Sequence, residues 1–181
     1  MARKSILVAV DGSASARKAL ELAAQLSKST EGDLLIATIT TRRPLTAAEL
    51  EEGDDEPGLH PMVVESAFAT SPGETYSPVL ERSPATPASD YVHLAAAQRL
   101  VAAAAFNARQ AGAPSVQTII ETGDPADEIL RIVKSRAPDL VVVGSRGLGK
   151  RAERLLGGVS QKIMRDAPCP VLVVEPSDEE E

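Results

Sequence analysis

Five short apolar segments recur along the 181-residue chain, and most of them are continuous rather than alternating with polar positions. Continuous runs of this length are typical of strands that are buried on both faces, as in a parallel sheet covered by helices. The pattern predicts strands at Ile6–Val10, Leu34–Ile39, Val116–Ile120, Leu140–Val143 and Val171–Val174.

The segments between these strands carry apolar residues at helical spacing. Ser13 or Ser15 can cap a helix after the first strand, because a serine oxygen accepts a hydrogen bond from an amide of the first turn. Asp124 followed by Pro125 is a typical helix start, with a capping acid and a proline in the first turn.

Two further helices complete the alternation of strands and helices. The longer covers about residues 91–111, and a shorter one, at about 158–166, has Val159, Ile163 and Met164 on one side. This order predicts an α/β fold, a doubly wound five-stranded parallel sheet with helices on both faces and right-handed crossovers. The last strand is expected at a sheet edge.

Residues 43–90 break this alternation. They contain seven prolines and ten acidic against two basic side chains, including the acidic run Glu49–Glu56. Such a composition buries too little apolar surface to offset the entropy of ordering. We predict a single domain over residues 1–176, with a partly disordered insertion at about 43–90 and an acidic tail at 177–181.

The overall composition limits the class of ligand. The net charge is −7 and only 2% of the residues are aromatic, which disfavours a nucleic acid or an anionic membrane as partner. Within this acidic chain, residues 144–166 carry six basic and two acidic side chains. That local charge suits a small anionic ligand, although a basic surface in contact with water alone is the other interpretation.

Two features bear on the cellular compartment. The single cysteine, Cys169, excludes an internal disulfide and agrees with a reducing environment. The apolar run near the N-terminus is too short for a signal-peptide core or a membrane span. We therefore expect a cytoplasmic protein.

A glycine-rich segment follows the fourth predicted strand. It begins Gly144-Ser-Arg-Gly-Leu-Gly-Lys, and the glycine pair Gly157–Gly158 opens the last helix. Ligands of open α/β sheets lie beyond the carboxyl ends of the strands, where the strand order reverses. Glycines let backbone amides approach phosphate oxygens, and a helix start adds unpaired amides and a positive dipole end. The segment predicts a polyphosphate site, to which Ser160 can add a hydroxyl donor.

The spacing Gly144-x2-Gly147-x9-Gly157 resembles the phosphate-binding signature G-x2-G-x9-G-[ST] of the universal stress protein family. The opening Ile6-Leu-Val-Ala-Val-Asp-Gly-Ser is similar to the first strand and turn of that family, and Ala167-Pro-Cys-Pro-Val-Leu-Val-Val to its last strand. Only the insertion lacks a counterpart. The resemblance implies an adenine nucleotide alpha hydrolase-like fold, with ATP and Mg²⁺ as ligands.

The resemblance also implies roles for individual residues. In ATP-binding members, the aspartate that ends the first strand contacts the nucleoside, the end of the second strand touches the adenine, and the signature glycines line the ribose and phosphates. The backbone just after them binds phosphate oxygens, and the local basic charge adds an arginine. The predicted nucleotide site therefore comprises Asp11, Ile39, Gly144, Arg146, Gly147, Gly157, Gly158, Val159 and Ser160.

Gly158 departs from the signature, which has Ser or Thr at this position. One charge-assisted hydrogen bond contributes about 1.5–3 kcal/mol, so we expect weaker nucleotide binding rather than none, with Ser160 as a candidate for compensation. Plainer interpretations stay open. Asp11 can be a helix cap, the glycines can serve turn geometry alone, and Ser160 can be an ordinary first-turn residue.

Other nucleotide motifs and catalytic arrangements fit less well. Gly147-x-Gly149-x-x-Ala152 matches the dinucleotide pattern but follows the fourth strand and lacks an acidic residue some twenty positions on. The sequence has no G-x4-G-K-[ST] loop and no Ser-His-Asp arrangement. We assign no catalytic or metal-binding residue and expect at most slow hydrolysis of bound ATP.

Two functions from different classes remain. The first is an ATP-binding regulatory protein of the stress response that acts as a homodimer on an unidentified protein partner. The second is a nucleotide-independent stress scaffold that works through dimerisation and the acidic insertion. A dimer through Val171–Val174 is expected in both, because a bare apolar edge is usually covered and members of the resembled family pair this strand with its two-fold mate.

Overall fold

A computed structural model of the chain describes residues 3–40, 88–145 and 156–175. These residues form, in order, β1 (Ser5–Ala9), α1 (Ala14–Thr30), β2 (Asp33–Thr40), α2 (Ala88–Gln110), β3 (Ser115–Thr122), α3 (Pro125–Arg136), β4 (Leu140–Gly144), α4 (Gly158–Asp166) and β5 (Val171–Val174). The strands pair in parallel in the order β3-β2-β1-β4-β5. The predicted five-stranded α/β sheet is confirmed, and β5 is an edge strand.

The element bounds differ little from the prediction. β1 begins and ends one residue earlier than expected, although the amide of Val10 still donates to the carbonyl of Ala37 at 2.9 Å. Helix α2 begins at Ala88, so residues 88–90 are helical and do not belong to the predicted insertion. The rest of the predicted insertion, the acidic tail and the residues Arg146 and Gly147 lie outside the described residues.

Each face of the sheet carries its own hydrophobic core, because alternate residues of a strand point to opposite faces. Residues of α1 and α2 pack on one face, with Val8, Leu34 and Val142 from the strands. Residues of α3 and α4 pack on the other, with Leu7, Leu35 and Val141. The prediction of helices on both faces is thereby confirmed.

The three apolar residues named for α4 are not all buried. Ile163 is fully buried, but Val159 is 40% and Met164 54% exposed. Helix α4 has nine residues and packs against α3 and the edge strand β5. Since the sheet ends at β5, only one of the three apolar side chains reaches the core.

Within residues 3–40, 88–145 and 156–175, no helix combines the length and the apolar character needed to cross a membrane.

Candidate functional site

The carboxyl ends of β1 and β4 lie side by side where the strand order reverses. The chain runs from β1 outward to β2 and β3, and then returns to β4 on the other side of β1. A crevice outside the carboxyl ends of the strands forms at such a switch point. Asp11 follows β1 and Gly144 ends β4, so the fold brings two predicted site residues to the same part of the rim.

Gly144 is packed closely against the first turn of α1. A Cβ atom built on this residue would lie 2.5 Å from the Oγ of Ser15 and 2.9 Å from the amide nitrogen of Ala16. Any larger residue must therefore push β4 and α1 apart. Glycine is required here by packing alone, whatever its role toward a ligand.

Two hydrogen bonds fasten the start of α4 to the end of β4. The amide of Gly157 donates to the carbonyl of Ser145 at 2.7 Å. The hydroxyl of Ser160 donates to the carbonyl of Gly144 at 2.6 Å, across sixteen positions of sequence. The N-terminus of α4 is thus held directly beside the switch point.

At the start of α4, no side chain competes with a ligand for the backbone amides. Gly157 occupies the cap position of α4 and supplies no capping side chain, and a Cβ built on Gly158 meets no atom within 4 Å. The first amides of a helix have no intrahelical acceptor, which leaves those of Gly158, Val159 and Ser160 for a ligand. The Gly157 amide is not among them, because Ser145 already accepts from it.

The Ser160 side chain differs from the expectation. Its single proton is donated to Gly144, and the residue is only 5% exposed. In this arrangement the hydroxyl cannot also donate to a phosphate, so it does not compensate for the hydroxyl that Gly158 lacks.

Asp11 is exposed and held in a defined orientation by the turn that follows β1. Its Oδ1 accepts from the amide of Ser13 at 3.0 Å and from the Ser13 hydroxyl at 2.6 Å. The cap of α1 is Ser13 itself, which accepts from the amide of Ala16 at 3.3 Å. Asp11 is therefore not the cap of α1, and its Oδ2 has no partner among the described residues.

Ile39 lies on β2, the strand next to β1, opposite Glu121 of β3. It is half-buried and packs on the face of the sheet that α3 and α4 cover. The fold thus places Ile39 on the same face as the start of α4. Asp11, Gly144, Gly157, Gly158, Val159 and Ser160 lie at the shared rim, whereas nothing is described of Arg146 and Gly147.

The basic charge predicted for this part of the chain is partly neutralised by neighbours. The amine of Lys162 lies 2.6 Å from Oδ1 of Asp127 and 3.8 Å from Oδ1 of Asp124. The hydrogen bond to Asp127 raises the pKa of Lys162 above its ordinary value. The Nε of Arg165 lies 2.7 Å from Oδ1 of Asp166. Lys162 and Arg165 are therefore charges of α4 that already have partners.

Sequence reasoning gave no role to Ser145. Its Oγ is buried, in a residue only 1% exposed, and has no hydrogen-bond partner among the described residues. Buried polar atoms are nearly always hydrogen-bonded, so this hydroxyl marks the end of β4 as a place where a further polar group is needed. The feature of the sequence that points to Ser145 is its position, as a polar residue directly after a buried strand.

Comparison with known proteins agrees with the geometry. The sequence model of the universal stress protein family matches residues 2–175. The chain is 30% identical to the universal stress protein YxiE of Bacillus subtilis over 169 residues, which cover 93% of this chain and 97% of that protein. A shorter match, 43% identical over 63 residues, covers 35% of this chain and 46% of a universal stress protein of Thermus aquaticus.

Solved structures show the same fold. A universal stress protein in complex with cAMP superposes with a TM-score of 0.56 at 24% identity, covering 98% of this chain and 100% of that one. A universal stress protein family member from Arabidopsis thaliana with AMP bound also has a TM-score of 0.56, at 20% identity, covering 98% of this chain and 94% of that one. At this level of identity the likeness concerns the fold.

Proposed function

This chain belongs to the universal stress protein family, and we propose that it is an ATP-binding regulatory protein that acts as a homodimer. The nucleotide lies at the rim of the sheet between β1 and β4, with its phosphates against the start of α4. The observation that carries the proposal is that α4 begins on two glycines without a side-chain cap, directly beside the switch point.

The chemistry of that helix start suits a polyphosphate. Free amides and the positive end of the helix dipole favour negative charge at the N-terminus of a helix. No side chain blocks the approach at Gly158, since the space where a Cβ would lie is open. The amides of Gly158, Val159 and Ser160 are the proposed phosphate donors. Gly147 joins the proposed phosphate side by its position in the signature, and Arg146 joins it by its positive charge.

The nucleoside half of the site rests on Asp11 and Ile39. The Oδ2 of Asp11 is available to a hydroxyl or amine donor, because Ser13 engages only Oδ1. The half-buried Ile39 offers an apolar surface on the face where α4 begins. Two proteins of the same fold bind AMP and cAMP, which supports an adenine nucleotide as the ligand class.

Mg²⁺ would enter with the nucleotide. This ion keeps several waters and is bound through phosphates and one or two carboxylates rather than by a complete protein cage. Residues 3–40, 88–145 and 156–175 contain no group of three or more His, Cys, Asp or Glu able to hold a metal. We propose that the triphosphate supplies the ligands of the ion.

Calorimetric titration with ATP, AMP and cAMP tests the ligand directly. Tripolyphosphate at the same ionic strength is the control for simple charge attraction, and mass spectrometry of the denatured protein identifies any nucleotide that co-purifies. Saturable binding of ATP that tripolyphosphate alone does not reproduce supports the proposal. A folded protein that leaves millimolar ATP unbound contradicts it.

A matched pair of substitutions tests the position of the phosphates. Gly158→Glu places a carboxylate in the open space at the start of α4, and Gly158→Gln adds the same bulk without charge. Gly158 is exposed and a Cβ atom there meets no other atom within 4 Å, so both variants should fold. Repulsion between the new carboxylate and the phosphates should make ATP binding by Gly158→Glu about tenfold weaker than by Gly158→Gln, or weaker still. Equal affinities would place the phosphates elsewhere.

The exposed edge of β5 favours a second candidate, a scaffold that dimerises and acts without nucleotide. A groove beside the edge strand has Leu22, Met164 and Leu172 among its lining residues. An unprotected edge strand is a template for pairing with another chain. An intact dimer that binds no nucleotide would favour the scaffold.

A further inference from the structure

Ser160 uses its two polar groups in different ways. Its amide belongs to the first turn of α4, where helix amides have no internal acceptor. Its hydroxyl is buried and donates to the carbonyl of Gly144 at 2.6 Å. We infer that Ser160 is a positioning residue, whose hydroxyl holds the first turn of α4 against β4 and so aligns the amides of Gly158 and Val159 before the nucleotide binds. This inference rests on the proposed function.

Helix α4 has few other attachments at its N-terminal end. It has nine residues and no side-chain cap, and its buried residues are Ser160 and Ile163. Helices of this length are unstable by themselves in water and depend on tertiary contacts. Ile163 anchors the second turn in the core, while the Ser160 hydroxyl and the Gly157 amide attach the first turn to β4.

Alignment before binding has a measurable consequence. If the first turn is formed only part of the time, the apparent affinity falls by the fraction of molecules that are competent to bind. The net contribution of one hydrogen bond corresponds to a factor of about two to ten. This factor is the largest loss of affinity that the change can cause, and it is approached because a nine-residue helix without a side-chain cap is only marginally stable at its first turn. Loss of the Ser160 hydroxyl should therefore weaken ATP binding about fivefold, without any contact between that hydroxyl and the nucleotide.

Ser27 provides a matched control at the other end of the sheet. It is fully buried, and its hydroxyl donates to the carbonyl of Gly32 at 2.8 Å, in the turn between α1 and β2. Ser27→Ala removes the same kind of bond as Ser160→Ala. Because that turn precedes β2, it lies at the opposite rim from the proposed site.

The experiment compares four full-length proteins: wild type, Ser160→Ala, Ser160→Thr and Ser27→Ala. For each protein we would measure the melting temperature, the ATP dissociation constant by calorimetry, and the hydrogen exchange of a peptide over residues 157–163. We expect both alanine variants to melt at lower temperature. Only Ser160→Ala should bind ATP about fivefold more weakly and exchange faster over 157–163, and Ser160→Thr, which keeps the hydroxyl, should bind like wild type.

The result that would contradict the positioning role of Ser160 differs from the result that would contradict the proposed function. Wild-type affinity in Ser160→Ala, or equal weakening in Ser27→Ala, overturns the positioning role while ATP binding by the wild-type protein stands. Wild-type protein that does not bind ATP contradicts the proposed function itself. If Ser160→Ala does not fold, Ser160→Cys replaces it, because a thiol has a similar shape and is a weaker donor. We then expect Ser160→Cys to bind ATP more weakly than wild type, and wild-type affinity in this variant overturns the positioning role.

Discussion

Gly144 lies so close to Ser15 that a Cβ atom on residue 144 would come within 2.5 Å of the serine Oγ. The same glycine accepts the hydrogen bond from Ser160 at 2.6 Å. The first turns of α1 and α4 therefore meet at one residue at the end of β4. A signature glycine that is expected to serve a ligand thus also satisfies a packing requirement of the fold.

Gly144→Ala should destabilise the protein by about 1–3 kcal/mol, the usual range for an added methyl group in a tightly packed site. The added carbon would contact the Ala16 backbone as well as the Ser15 side chain, so rotation of the serine alone cannot relieve it. Urea unfolding measures the effect. Gly158→Ala is the matched control and should stay within about 0.5 kcal/mol of wild type, because its Cβ meets open space. Equal stability of the two variants would contradict the packing role of Gly144.

Gly158→Ser should strengthen ATP binding. The substitution supplies the hydroxyl that the signature has at this position, and the space beside Gly158 is open. A charge-assisted hydrogen bond at the lower end of its range corresponds to about a tenfold gain in affinity. Calorimetry with Gly158→Ala as control separates the hydroxyl from the loss of glycine flexibility. No difference between the serine and alanine variants would show that this hydroxyl does not reach the phosphates.

Val173→Pro should convert the predicted homodimer to a monomer. The carbonyls of Pro170 and Val174 accept hydrogen bonds from β4, and backbone groups of alternate residues in a strand point to opposite sides. The amide of Val173 therefore points to the free edge of the sheet, where proline removes a donor without breaking the pairing with β4. Sedimentation analysis measures the change, and Val173→Ala, which keeps the amide, should remain dimeric. A monomeric wild-type protein would rule out this interface.

The cap of α3 should make the protein less stable at acid pH than at neutral pH. A hydrogen bond from the Asp127 amide, aided by the nearby Lys162 charge, lowers the pKa of Asp124 below its ordinary value of 3.8. A carboxyl whose pKa is lower in the folded state stabilises the protein above its unfolded-state pKa, and this contribution is lost as the pH falls through the folded-state value.

Two variants separate the charge of Asp124 from its capping oxygen. Asp124→Ala should cost about 0.5–2 kcal/mol near neutral pH, as expected for a lost cap. Asp124→Asn keeps the cap without the charge, so its difference from wild type should shrink as the pH falls below 3.8. Urea unfolding at neutral and acid pH checks this prediction. A difference between Asp124→Asn and wild type that does not change with pH would show that the Asp124 charge does not stabilise the protein.

Much of the fold was predictable, because the signals are local. The apolar run at Val171–Val174 matches β5 residue for residue. Asp124 and Pro125 mark the start of α3 as expected. The exposure of Val159 and Met164 was not predictable, since their spacing on α4 says nothing about where the sheet ends.

The sequence alone determined the order of strands and helices, the glycine-rich segment after the fourth strand and the family to which the chain belongs. Hydrophobic period, capping residues and glycine spacing are properties of neighbouring residues, so they can be recognised without coordinates. Only the tertiary structure decided which polar groups at the rim are already engaged. Whether the Gly157 amide or the Ser160 hydroxyl is free depends on how close α4 comes to β4, and that distance is set by packing between elements that are separate in sequence.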